Sequence, residues 1–331
     1  MKHTTTTVAL TALLAAVACS KNEETKYNPP IVYSIPSAQP APSTGGIPIP
    51  TEDGLEDRLA NTYGADSAKY ALQIVDNGKR IRESPGKQEN LYDRIEQDLR
   101  KKFPLVSPPR LFGFIDEPRE AENVAMLYTA RERVLSRAKK DGIDLPMSFI
   151  IAALSNEGFS LDVDRGNSYS SGFWVYGLDT FGTEFNRIVE RGYLPASFRN
   201  KFTIAEHTNE AGRRVKSADF VRKEDAYEAF IATQAHRQYL FFEDLSKNKI
   251  PKNKIPKEQV LFFTYKYYNG GPNSAEGLLK KRSVSEIDRF FKRVMTYGST
   301  GNAYVVLAGS QWLELSGATN PNPQGKYWWS K

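Results

Sequence analysis

An all-α fold with minor β-hairpins is the class that this sequence predicts, and three observations support it. Apolar residues recur every three or four positions along most of the chain after residue 52, which is the spacing of amphipathic helices. The chain has 331 residues, of which 40% are hydrophobic and 25% charged, so it can bury a sizeable core. No strand-rich segment competes with the helices. Short β-hairpins between helices fit the pattern, above all at residues 200–222, where Phe202-Thr203-Ile204 and Phe220-Val221 flank a polar stretch.

Residues 1–18 have the features of a secretory signal. Lys2 and His3 precede an uncharged run of eleven residues, Val8–Ala18, which is too short to span a bilayer. The run ends before Cys19, the only cysteine, which cannot form an internal disulfide. Cleavage before Cys19 fits the ordinary signal-peptidase rule of small residues around the cut. It also fits the bacterial lipoprotein pattern, although Ala16 stands three places before the cysteine, where that pattern usually has leucine. Lipid attachment at Cys19 is therefore one reading, and an unmodified thiol on a secreted protein is the other.

Residues 19–51 predict a flexible tether. Seven prolines lie among serines, alanines and glycines, and such a segment cannot bury enough apolar surface to offset its ordering entropy. Extended at about 3 Å per residue, it would hold a folded domain tens of ångströms from a membrane. The expected location is outside the cytoplasm, either as an outer-membrane or cell-envelope lipoprotein facing the periplasm or as a secreted protein.

Helices are predicted on both sides of residue 117. Residues 52–117 read as a small helical extension, with apolar positions at Leu55, Leu59, Tyr63, Tyr70, Ile74, Ile81, Leu91, Ile95 and Leu99. Residues 118–331 read as the main domain. Its first helix, 117–140, ends at Asp141-Gly142, since glycine is a usual helix stop.

Two further segments belong to the predicted main domain. Residues 224–245 predict a long central helix with one apolar face. The tandem repeat KNKIPKNKIPK at 247–257 then predicts a solvated basic loop in which the prolines prevent a helix.

Glu157 closes a short apolar helix predicted for residues 146–157. Proline is tolerated in a first turn, Met147, Ile150, Ile151 and Leu154 form the buried face, and Gly158 is a ready left-handed stop. A carboxylate at the negative end of a helix dipole is disfavoured by about 0.3–1 kcal/mol. This position and nearby aromatic groups should raise the pKa of Glu157, which suits a general acid. The alternative is a glutamate that frays into solvent.

Three segments in order resemble the group of lytic transglycosylases and goose-type lysozymes. Leu145-Pro146 with Asn156-Glu157-Gly158-Phe159 is similar to the family's acid-bearing helix. Ser170-Ser171-Gly172-Phe173-Trp174 is similar to its second element, and Tyr268-Asn269-Gly270-Gly271-Pro272 to its YNAGP element. A weaker fourth match, residues 300–308, resembles the closing helix. The likeness covers residues 145–310 and implies a lysozyme-like domain.

The resemblance implies that the chain cleaves the glycan strands of peptidoglycan without a cofactor. Glu157 would protonate the glycosidic oxygen after N-acetylmuramic acid, and Tyr268 would approach the catalytic carboxyl. Trapping by water makes a lysozyme, whereas trapping by the sugar's own 6-hydroxyl makes a lytic transglycosylase. Asn269 and the following glycines would end their helix. The substrate-binding residues would be Ser171, Trp174, Val175, Tyr176 and Asn269. Tyr268, Trp174 and Tyr176 fit a packed core equally well.

Two departures from the family pattern affect substrate recognition. Gly158 replaces the serine after the acid, and Val175 stands where a glutamine helps to bind the N-acetyl group. Asp162 and Asp164 could instead meet the free amine of a de-N-acetylated sugar. They could also serve as the second carboxylate of an inverting lysozyme. Ordinary turn chemistry is the third reading of both aspartates.

Other classes of function find less support. The net charge of +6 is mild and compatible with an anionic wall polymer, and no nucleic-acid-binding module is recognised. Beyond His3, only His207 and His236 could serve as histidine ligands, so no metal site is predicted. We expect a monomer whose partners are peptidoglycan and, through Cys19, a bacterial membrane. The competing class is a non-catalytic envelope lipoprotein that binds glycan through a degenerate groove.

Overall fold

Helices α1 to α9 and one small sheet make up the part of the chain that the computed structural model describes. That part comprises residues 54–83, 118–156, 173–175, 184–208, 214–220, 222–279, 282–297, 302–315 and 317–320. The helices are α1 Leu55–Tyr63, α2 Ala65–Glu83, α3 Pro118–Ala138, α4 Met147–Asn156, α5 Glu184–Glu190, α6 Lys223–Lys247, α7 Lys257–Leu279, α8 Val284–Tyr297 and α9 Asn302–Leu315. The predicted mostly helical class is confirmed. Among these residues no helix combines the length and apolar character that a bilayer crossing requires.

Helices α1 and α2 occupy the start of the predicted N-terminal extension. Leu59 and Ile74 are buried, and Leu55, Tyr63 and Tyr70 pack against the same core. Helix α2 packs along α3, where the ring of Tyr70 stacks on Tyr128 with centroids 4.5 Å apart. The boundary predicted at residue 117 and the remainder of the extension, with the signal and the tether, lie outside the described residues.

Helix α3 ends at Ala138, two residues before the predicted end at Lys140, and the left-handed stop lies at Gly142 as the sequence predicts. A 3-10 turn, Lys139–Asp141, follows the helix, and Gly142 takes the left-handed conformation with φ 66°. Its amide donates to the carbonyl of Lys139 at 3.0 Å, which closes the turn. Glycine adopts this conformation without the steric cost of a side chain.

The sheet has three antiparallel strands in the order β1-β3-β2. Strands β2, Phe202–Thr208, and β3, Arg214–Phe220, form the predicted hairpin, with Phe202 opposite Phe220. Strand β1, Phe173–Val175, was not predicted, and it pairs with the other side of β3. It also packs against α6, so the sheet reaches the central helix.

Helix α6 is the central helix, but the prediction of a single apolar face was wrong. Every side chain from Asp225 to Gln238 is buried, because α3, α5, α7 and β1 all pack around it. Polar residues in this stretch therefore lie inside the protein. Between residues 233 and 238 the buried polar side chains are Thr233, Gln234, His236, Arg237 and Gln238.

The lysine- and proline-rich repeat is docked on the protein, contrary to the prediction of a solvated loop. Its two isoleucines, Ile250 and Ile255, are 6% and 7% exposed. Lys252, within a 3-10 turn between the prolines, places its ammonium 3.6 Å from the ring centroid of Phe242. That ammonium also donates to the carbonyls of Asp141 and Gly142. Each copy of the repeat thus supplies one apolar side chain to the core.

Candidate functional site

Helix α4 leads directly to the predicted catalytic acid. It begins at Met147, after Pro146, and ends at Asn156. All its side chains from Met147 to Leu154 are buried, so the helix is surrounded rather than packed on one face as predicted. Glu157 itself lies outside the described residues. The buried part of α4 that the structure describes therefore ends three residues before Glu157.

The start of α4 is held by side chains from two neighbouring helices. The amide of Gln238, on α6, accepts from the backbone N–H of Asp144 at 2.8 Å and donates to the carbonyl of Asp144 at 3.1 Å. The guanidinium of Arg131, on α3, donates to the carbonyl of Leu145 at 2.6 Å. We call these contacts the Gln238 clamp, after its central residue. Together they fix the position and direction of α4.

Tyr268 lies on α7 and belongs to an aromatic cluster formed by Phe149, Phe230, Tyr265 and Tyr268. Its half-buried ring meets Phe230 of α6 edge-on, with centroids 5.8 Å apart, and Tyr265 at 5.5 Å. Tyr265 in turn meets Phe149 of α4 at 6.5 Å. The aromatic cluster therefore links the helix that precedes Glu157 to the helix that bears Tyr268.

The segment after Tyr268 corrects the prediction that Asn269 and its glycines end a helix. Helix α7 continues through Asn269 and Pro272 to Leu279. Pro272 has no N–H to donate to the carbonyl of Tyr268, four residues earlier, which weakens the helix at that turn. The packing of α7 against α6 and α9 favours the continuous helix over the local tendency to stop.

Strand β1 contains two of the predicted substrate-binding residues. Trp174 pairs with Asp219 and Val175 with Ala218 across the β1–β3 ladder. Strand β1 also packs against α6, so the strand that contains Trp174 and Val175 and the ring of Tyr268 have the same neighbouring helix. The two sequence segments that contain these residues therefore share one neighbouring helix.

Gln234 is a buried polar residue on the same side of α6. It lies one helical turn after Phe230, whose ring contacts Tyr268. It also lies one turn before Gln238, whose amide is 3.4 Å from the Thr264 hydroxyl of α7. The side chain is fully buried, and neither amide atom has a hydrogen-bond partner among the described residues. Most buried polar groups are hydrogen-bonded, so a polar partner is expected next to this amide.

Sequence reasoning did not single out Gln234 or Gln238. The available signal was the polar run TQAHRQ, residues 233–238, inside a long helix with apolar flanks. Several predicted residues lie outside the described part of the chain, namely Cys19, Asp162, Asp164, Ser171 and Tyr176. Their roles stay predictions.

Comparisons with known proteins identify no family for this chain. Within the described residues no group of three or more histidine, cysteine or acidic side chains is placed to hold a metal ion. Neither family models, nor curated proteins, nor solved structures gave a match to this chain.

Proposed function

We propose that this chain has a lysozyme-like fold and cleaves the glycan strands of peptidoglycan with Glu157 as the general acid. The acid would transfer its proton to the bridging oxygen between N-acetylmuramic acid and the next sugar, while the bond from that oxygen to the anomeric carbon breaks. The resulting oxocarbenium-like centre would be trapped either by water or by the sugar's own 6-hydroxyl. The first outcome is that of a lysozyme, and the second is that of a lytic transglycosylase.

The aromatic cluster is the observation that supports this proposal most. Its members join α4, which ends one residue before Glu157, to α7, which bears Tyr268. The two segments are more than a hundred residues apart, and both contain family-like motifs. A chance likeness of two motifs would not require their helices to share one packed cluster.

The buried surroundings of α4 agree with an acid that holds its proton. A carboxyl group next to an apolar interior has a pKa above its usual range, because burial disfavours the charged form. Gln234 would supply a neutral amide that can hydrogen-bond to a protonated carboxyl or to a sugar hydroxyl. In this proposal Gln234 positions the acid or the substrate and does not itself exchange a proton.

In this proposal the preferred substrate is a de-N-acetylated glycan. Val175 lacks the amide that would bind an acetamido group, and Asp162 and Asp164 would suit a free amine. Digestion rates of one peptidoglycan preparation should therefore fall after chemical re-acetylation. Faster digestion of the fully acetylated form would contradict this part of the proposal.

Glu157→Gln tests the acid directly. The variant should lose at least about 100-fold in the rate of fragment release from purified peptidoglycan, because an amide cannot donate the proton that a general acid supplies. Glu56→Gln, at an exposed position of α1, is the matched control and should retain full activity. Strand binding without cleavage by all three proteins would instead favour the non-catalytic envelope lipoprotein.

Gln234→Leu separates a functional amide from a structural one. Removing a buried amide that makes no bond to the described residues should leave the free energy of unfolding unchanged or raise it. Activity should nevertheless fall if the amide serves the acid or the substrate. Loss of stability together with activity would show that Gln234 has a purely structural partner.

Mass spectrometry of the released fragments distinguishes the two reaction outcomes. A 1,6-anhydro end marks attack by the sugar's own hydroxyl, and a reducing end marks attack by water. Either product from wild-type protein, and neither from Glu157→Gln, supports the proposed role of Glu157.

A further inference from the structure

A cavity of about 550 Å³ lies between α5 and α6, apart from the aromatic cluster. Its walls are α5, the 3-10 turn at Lys139–Asp141 and the second half of α6. Six of the lining residues matter for its chemistry, namely Lys140, Arg187, Glu190, Arg191, His236 and Tyr239. The volume falls within the usual range for small-molecule sites. We call it the α5–α6 cavity.

Some charged side chains of the cavity wall form ion pairs with other described residues, and some do not. On α6, Lys247 pairs with Glu243 at 3.3 Å and with Asp244 at 3.5 Å, and Asp244 also accepts from a tyrosine hydroxyl. By contrast, Lys140, Arg187, Arg191 and Glu190 form no ion pair with any residue that the structure describes. The available charges are thus three cations and one carboxylate.

Arg191 is held in place by an aromatic ring. Its guanidinium carbon lies 3.5 Å from the ring centroid of Tyr239, so one face of the cation rests on the ring. Stacking of this kind uses the face of the guanidinium and leaves its in-plane N–H groups available to a carboxylate. A donor that is already fixed loses less entropy when it binds.

His236 forms a buried and uncharged part of the cavity lining. Its ring is 2% exposed and stacks near Tyr239, with centroids 6.2 Å apart. Burial, together with the charges of Arg237, Arg191 and Arg187, lowers the pKa of His236 to about 3. The imidazole is therefore neutral at pH 7. Arg187 and Arg191 line the same cavity as this ring.

We propose that the α5–α6 cavity binds a zwitterionic amino acid or peptide end. Its carboxylate would meet Arg187 and Arg191, with Lys140 at the rim, and its ammonium would meet Glu190. The spacing suits this ligand, because Arg187 and Glu190 are three residues apart on one helix and their side chains are neighbours. Both charge signs are needed, whereas a simple dianion such as phosphate would face the carboxylates of Glu190 and Glu243.

The peptide stems of bacterial cell walls provide groups of this chemistry. The cavity need not contribute to bond cleavage, so its occupancy goes beyond the proposed glycosidase activity. Binding can be measured with Glu157→Gln protein as well as with wild-type protein. Failure of one proposal therefore does not decide the other.

Isothermal titration of the full chain with 2,6-diaminopimelate tests the inference. Pimelate, which has the same carbon chain without the amines, is the matched comparator, and inorganic phosphate is the simple anion. Diaminopimelate should bind at least about tenfold more tightly than either. Equal affinities for diaminopimelate and pimelate, or no saturable heat with diaminopimelate up to about 10 mM, would overturn the proposal.

Single substitutions assign the two ends of the ligand. Arg187→Gln should weaken both organic ligands at least about tenfold, and because Arg187 is exposed its loss should leave the fold intact. Glu190→Gln should bring diaminopimelate down to the affinity of pimelate and leave pimelate binding unchanged. Arg289→Gln, at an exposed position of α8, is the control for net charge. An effect of Arg289→Gln equal to that of Arg187→Gln would show that only overall charge is being measured, and the proposal would then fail.

Discussion

Replacement of Gln238 by leucine should loosen α4 at its start. Leucine is close to glutamine in volume, so the change removes two hydrogen bonds to the backbone of Asp144, at 2.8 and 3.1 Å, without opening a large cavity. Each such bond contributes about 0.5–1.5 kcal/mol, so the free energy of unfolding should fall by about 1–3 kcal/mol. The weak third contact, 3.4 Å from the Thr264 hydroxyl, adds little.

Urea denaturation followed by circular dichroism measures this loss. For a chain of this size 1 kcal/mol corresponds to roughly 2–4 °C in melting temperature, so a loss of about 1–3 kcal/mol should lower the melting temperature by about 2–12 °C in a thermal scan. Because α4 leads to Glu157, the proposed glycan cleavage should fall as well at temperatures where the variant is fully folded.

Asp144→Asn is the matched control at the other end of the same clamp. The Asp144 side chain pairs with Lys257 at 3.0 Å, but the two side chains are 60% and 57% exposed. An exposed pair contributes at most about 1 kcal/mol, and the substitution leaves both backbone bonds to Gln238 in place. If Gln238→Leu costs no more than Asp144→Asn, the clamp does not hold α4 and the reasoning is refuted.

Three other predictions concern stability. His236 has a pKa of about 3 in the folded state, below its ordinary 6.5, so between these values the unfolded chain binds a proton that the folded chain does not. The contribution of His236 to the free energy of unfolding should therefore be fully present above pH 6.5 and fall by up to about 1.4 kcal/mol per pH unit toward pH 3. Urea denaturation of His236→Gln should show a flatter pH dependence, and an unchanged slope would contradict the assignment. Tyr267→Phe should cost about 1.5–3 kcal/mol in the same assay, because the buried hydroxyl donates to the Asp244 carboxylate at 2.6 Å, and a cost below about 0.5 kcal/mol would argue against that bond. Lys252→Ala should lower the free energy of unfolding by about 0.5–1.5 kcal/mol more than Lys254→Ala does, because only the Lys252 ammonium contacts an aromatic ring and two carbonyls. Thermal scans of the two variants measure this difference. Equal melting temperatures would contradict a docked repeat.

Local signals in the sequence predicted the elements that local chemistry determines. Gly142 marks the end of the 3-10 turn that follows α3, because a left-handed residue is required there. The β-branched and aromatic residues on either side of a polar turn mark the hairpin. Strand β1 was missed, since its three residues acquire a strand conformation only by pairing with β3. The continuation of α7 through Pro272 was missed for a similar reason, because packing against other helices outweighs the local preference.

The candidate site was only partly accessible from the sequence. Motif likeness pointed to Tyr268, and the structure shows that its ring belongs to the aromatic cluster. Gln234 and Gln238 gave no comparable signal, because a glutamine in a helix normally faces solvent. Their importance follows from the burial of α6 on all sides, which depends on how the surrounding helices and β1 assemble.

The geometry of α6 separates the two proposed sites. Successive helix residues are turned by about 100°, so Gln234 and His236, two positions apart, point about 200° from one another. Gln234 therefore shares the side of Gln238 and Tyr268, whereas His236 faces the α5–α6 cavity. A ligand in that cavity could influence the other side only by shifting α6 as a body, and the packing of α3 and α7 along the helix opposes such a shift. Independent binding and cleavage are accordingly the expected behaviour, and coupling between them would require a second arrangement of α6.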